Sequence, residues 1–73
     1  MKKSDKVIIL DPDGKDYRLG LYLEEWNNTA SLIDTTYGGS DVIPNKYIKP
    51  YSDDLVDELY KKTGIERKFS KIF

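Results

Sequence analysis

The 73-residue chain has no cysteine and no histidine. The first absence excludes disulfides and thiolate metal ligands; the second removes the commonest zinc ligand and the usual general base. A nucleophile would need a lysine or a carboxylate as its activator, and no serine sits in a nucleophile-elbow context. No glycine-rich phosphate loop is present. These gaps point away from an enzyme and leave no cofactor or metal to expect. The longest early apolar run, Val7-Ile8-Ile9-Leu10, is shorter than the roughly 7–15 residues of a signal-peptide core, and nothing approaches a membrane span. The cytoplasm is therefore the expected compartment.

What is present is aromatic and charged. Six Tyr, two Phe and one Trp supply large apolar areas to a chain that has room for one domain, residues 1–73, and no more. Net charge is −1, but it is unevenly spread: residues 1–60 carry seven Lys/Arg against twelve Asp/Glu, and residues 61–73 carry five against one. An acidic body ends in a basic tail.

The pattern predicts a mainly β protein over residues 6–50, about five short antiparallel strands, followed by an α-helix over 52–63 and a basic, apolar tail over 65–73. Residues 1–5 are polar and read as frayed. Lys6–Leu10 is β-branched. Asp11-Pro12-Asp13-Gly14 has turn chemistry: proline presets φ, and glycine accepts positive φ. Tyr17, Leu19, Leu21 and Leu23 alternate with polar or small residues, which sets the odd positions toward a core and leaves Gly20 as a bend or bulge. Asn27-Asn28 marks a second hairpin, Gly38-Gly39 a third turn, and Pro44 and Pro50 stop the last two strands. Ser52 is placed as an N-cap ahead of Asp53 and Asp54, Leu55, Val56, Leu59 and Tyr60 form one stripe, and Gly64 closes the helix. Ile65, Phe69, Ile72 and Phe73 then repeat at helical spacing, as a second short helix or a docked tail.

At Asp41 to Pro50 the chain reads Asp-Val-Ile-Pro-Asn-Lys-Tyr-Ile-Lys-Pro. This resembles the end of an SH3 domain, where a short strand runs into Ile-Pro, a one-turn 3₁₀ helix, and then a Tyr on the last strand. The resemblance spans roughly residues 29–50 and implies a small SH3-like barrel. It also implies that Pro44 and Tyr47 line a peptide-binding groove.

Three functions fit these features. The first is a non-catalytic protein-binding module, with Tyr22, Trp26, Tyr37 and Tyr51 off the core face and Asp11, Asp13, Asp16, Glu24, Glu25 and Asp34 as an acidic strip for a basic partner. Size and charge are shared with small phage and mobile-element proteins that inhibit host enzymes by imitating DNA phosphates, and an adaptor role fits equally. The second is a nucleic-acid-binding accessory protein using Lys61, Lys62, Arg67, Lys68 and Lys71, with Phe69 and Phe73 interleaved. The third is an assembly protein that self-associates through the C-terminal helix and Phe69–Phe73. Asp11-x-Asp13-Gly14-x-Asp16 has a superficial calcium-loop look, but it lacks the glycine and glutamate positions of an EF-hand, and a turn accounts for it.

Overall fold

The computed structural model describes residues 1–35 and 39–67. The elements are β1 (Lys6–Leu10), β2 (Tyr17–Glu25), β3 (Ala30–Thr35), β4 (Gly39–Pro44), a single 3₁₀ turn η1 (Asn45–Tyr47), β5 (Ile48–Pro50) and α1 (Asp53–Thr63). All five strands are antiparallel in one sheet of order β4-β3-β2-β1-β5.

Local chemistry places the turns where the residues demand them. Gly14 N–H donates to Asp11 O (3.0 Å) with Gly14 at φ +72°, a conformation that costs glycine nothing. The β2–β3 turn is tied by Asn27, whose Oδ1 accepts from Thr29 N–H (2.9 Å) and Thr29 Oγ1 (3.1 Å). In α1, Ser52 Oγ accepts from Leu55 N–H (3.1 Å), Asp53 and Asp54 occupy the first turn and Lys61 and Lys62 the last, all in the sense the helix dipole favours. Gly64 at φ +75° ends it, donating to Tyr60 O at 2.7 Å.

The barrel implied by the resemblance is not closed. β4 and β5 are the two edges, and no ladder joins them. Such a ladder would run through Pro44 and Pro50, neither of which has an N–H to give. The sheet curls instead, so that Ile43 of one edge and Ile48 of the other meet in one apolar cluster with Val7, Ile9 and Ile33.

That curl gives the sheet two buried faces, not the single one expected from alternation. The second cluster joins Ile8, Tyr17 and Leu19 to Val56 of α1, with Leu10, Leu21, Leu55, Leu59 and Ile65 around it. Val7, Ile8 and Ile9 are all buried because β1 lies at the centre of both layers. The helix thus lies on a face of the sheet, over β1 and β2, rather than over a barrel end.

Gly20 also has a different role. The bulge falls between Tyr22 and Glu24, with Leu23 the extra residue. Gly20 remains in register, and an added Cβ there would stand 2.6 Å from Ile33 Cγ2 and 2.9 Å from Asp34 O. Close packing of β2 on β3, and not a bend, requires the glycine.

Both ends of the described segment are bonded to the body. Ser4 N–H donates to Tyr22 O (2.6 Å) and Tyr22 N–H to Asp5 O (2.8 Å), so residues 4 and 5 continue the pairing beside β2 where fraying was expected. After α1, the hydroxyl of fully buried Tyr17 donates to Ile65 O (2.6 Å) and accepts from Arg67 N–H (2.9 Å). Lys68, Phe69, Lys71, Ile72 and Phe73, which the expected tail or second helix includes, lie outside the described residues.

Candidate functional site

Residues directly opposite in an antiparallel ladder share a face, so the register maps the sheet surface row by row. Leu21 belongs to the cluster under α1. Opposite it stands Asp34, and opposite Asp34 stands Ser40. The next row on that face is Glu24, Leu32 and Val42. The bulge makes this row: without the extra residue, Leu23 rather than Glu24 would oppose Leu32. The last row is Ala30 and Pro44, beside Trp26, whose N–H donates to Ala30 O (3.1 Å).

The helix covers only part of this face. The apolar cluster beneath it draws on β1 and β2 and takes nothing from β3 or β4. The uncovered part holds two of the large apolar side chains that the described residues expose, Trp26 (57%) and Val42 (38%), together with half-buried Leu32. Glu24 and Asp34 stand beside them, whereas Glu25, opposite Ser31, and Asp41, opposite Ile33, belong to the other face. Glu24 and Glu25 make no ion pair among the described residues. The uncovered part is thus an apolar patch edged by Glu24 and Asp34, which make no ion pair among the described residues.

Adjoining the Trp26 hairpin is an open groove of about 530 Å³ between Asn28, Thr29 and Ala30 on one side and Pro44, Asn45 and Lys46 on the other. Asn45 N–H donates to Thr29 O (2.8 Å), holding η1 against the hairpin. Buried Ser31 completes this junction by donating to Asn45 Oδ1 at 2.6 Å. Lys46 Nζ stands 5.1 Å from the centre of the Tyr47 ring, so the face of that ring already accepts a cation.

The residues singled out from sequence separate into groups. Trp26, Pro44 and Glu24 share the uncovered face at the hairpin end, and Glu25, opposite Ser31, stands on the other face. Tyr22 is not off the core face: it is half buried and packs against the Val7–Ile48 cluster. Tyr47 packs on that same cluster and Tyr51 on the one under α1, with Tyr51 OH donating to Asp53 Oδ1 (3.0 Å). Tyr37 lies outside the described residues.

Asp11, Asp13 and Asp16 do not continue the Glu24–Glu25 surface. Asp16 precedes β2 and Glu24 is near its end, about 26 Å along the strand at roughly 3.3 Å per residue. At their own end they share a hollow with Leu59, Tyr47 and Lys62 of the chain itself, and Arg67 Nη2 reaches Asp16 at 3.5 Å. Lys62 and Arg67, read as phosphate contacts, therefore face the protein's own carboxylates. Lys61 is exposed on the last turn of α1; Lys68 and Lys71 lie outside the described residues. The helix stripe expected to mediate self-association is occupied by the sheet, leaving Tyr60 exposed at 46%. No three acidic side chains among the described residues are grouped as a metal ion requires, and no helix among them is long and apolar enough to cross a membrane.

Leu32 and Val42 were not legible as site residues. The available signal was that β3 carries apolar side chains in both phases, Ala30 and Leu32 against Ile33, so one set had to face away from the Ile33 core. Compared with known proteins, the chain matches no family model, no curated protein and no solved structure.

Proposed function

We propose that the chain is a non-catalytic protein-binding module that holds a basic partner protein on the open β3–β4 half of its sheet. The observation that carries this reading is the shared face of Trp26, Leu32 and Val42, left uncovered by α1 and edged by Glu24 and Asp34. Tryptophan is among the residue types most often responsible for binding energy, and the neighbouring acids speed encounter with a positive partner. An inhibitor or adaptor that occupies a basic surface of its target has this chemistry. The strand order and the single 3₁₀ turn before β5 support an SH3-like, though open, arrangement.

The test is affinity capture from a nuclease-treated lysate with the wild-type chain, Trp26→Ala, Val42→Lys and the control Lys61→Ala. A protein retained in stoichiometric amount by wild type and Lys61→Ala, and lost by both face variants, is the expected result. Retention by all four overturns the assignment of the face. Recovery of nucleic acid when nuclease is omitted, abolished by salt and by Lys61→Ala, replaces the reading with a nucleic-acid one.

A further inference from the structure

The outer edge of β4 has lost the donors that strand pairing needs. The bond from Asn45 N–H to Thr29 O fixes the phase of the β3–β4 ladder: counting back by twos, Ile43, Asp41 and Gly39 turn their backbone groups toward β3, while Ser40, Val42 and Pro44 turn theirs outward. A regular edge of this length presents an N–H and a C=O at each outward residue. Here Pro44 has no N–H. The Val42 N–H is already taken, donating to Asp41 Oδ1 at 2.9 Å. The Pro44 carbonyl opens the 3₁₀ turn η1, so the edge is left with the carbonyls of Ser40 and Val42 and the Asp41 carboxylate against one N–H, that of Ser40. Asp34 stands beside Ser40 and adds a further negative charge.

We propose that this acceptor-rich edge seats an arginine-bearing extended segment of the partner protein, through guanidinium donors rather than through backbone strand pairing. A guanidinium offers five N–H donors and no acceptor, which complements such an edge; an added strand would leave its own carbonyls without donors opposite Val42 and Pro44. Asp41, whose Oδ1 already reaches the outward-facing Val42 N–H, takes the guanidinium contact at the edge. The inference rests on the protein-binding reading above and specifies the partner's chemistry at one edge of the same surface.

The experiment uses the whole chain and two synthetic peptides, one alternating Arg and Ser, the other a neutral strand-former alternating Thr and Gln. Backbone amide shifts locate binding and fluorescence anisotropy measures it. The Arg-Ser peptide is expected to shift amides of residues 39–44 and to bind about tenfold more weakly to Asp41→Ala, the effect of one charge-assisted hydrogen bond. The double variant Asp53→Asn, Asp54→Asn, which removes two charges from α1, is expected to bind as wild type. Equal binding of the neutral peptide, shifts away from β4, or an equal loss in the α1 variant each overturns the proposal. So does self-association of wild type through β4 in sedimentation. If Trp26→Ala still abolishes partner capture while the Arg-Ser peptide maps elsewhere, the face stands and the edge assignment fails.

Discussion

Replacing Tyr17 by Phe removes one oxygen from the interior and tests whether the segment after α1 is held by that atom. The hydroxyl makes two bonds, to Ile65 O at 2.6 Å and from Arg67 N–H at 2.9 Å, and the ring itself is fully buried. Phe refills the ring volume, so no large cavity term arises. What is lost is the pairing of two backbone groups that water reaches only in part, at about 1 kcal/mol each. The expected loss is about 2 kcal/mol. A domain of this length has on the order of 4–10 kcal/mol in total, so the change is a substantial share. With a urea m-value of about 1 kcal/mol/M, the unfolding midpoint falls by about 2 M. Tyr60→Phe is the control, since Tyr60 is 46% exposed and changes at such positions stay within about 0.5 kcal/mol. Equilibrium urea unfolding followed by tryptophan fluorescence from Trp26 measures both. A Tyr17→Phe midpoint equal to that of Tyr60→Phe would refute the argument that this hydroxyl anchors residues 65–67.

Two further substitutions probe local chemistry. Gly20→Ala places a methyl 2.6 Å from Ile33 Cγ2 and 2.9 Å from the Asp34 carbonyl; since backbone cannot yield as a side-chain end can, a cost of about 1–3 kcal/mol is expected by thermal unfolding, and an unchanged midpoint would show that the β2–β3 packing is looser than described. Ser52→Ala deletes the acceptor for Leu55 N–H and is expected to cost about 1 kcal/mol, read by far-ultraviolet circular dichroism during urea unfolding, with rescue by Ser52→Asp.

How much of this was legible follows from which interactions are local. The Asp11–Gly14 turn, the Asn27 hairpin and both caps of α1 are decided by residues within four positions of one another, through φ preferences and short-range hydrogen bonds, and the sequence states them directly. The strand phases of Tyr17 and Leu19 and of the Leu55–Leu59 stripe are likewise local periodicities. Trp26 and Pro44 were legible as surface residues, but their meeting was not, because it depends on a bond from Asn45 to Thr29, sixteen positions apart.

The chain by itself determined that a small β-rich unit with one capped helix would form, and that no cysteine or histidine chemistry was open to it. Only the tertiary structure decided how far the sheet curls, that both its faces are buried at β1, and that Gly20 is needed for contact with Ile33 while the bulge falls at Leu23. It also decided that Asp16 pairs with Arg67 and that Asp11 and Asp13 share a hollow with Lys62, while Glu24 and Glu25 lie far from both cations. Charge counted along the chain treats these acids alike. Their surroundings are set by partners some fifty residues away, as with Asp16 and Arg67, and such pairings arise from packing and register rather than from any local preference.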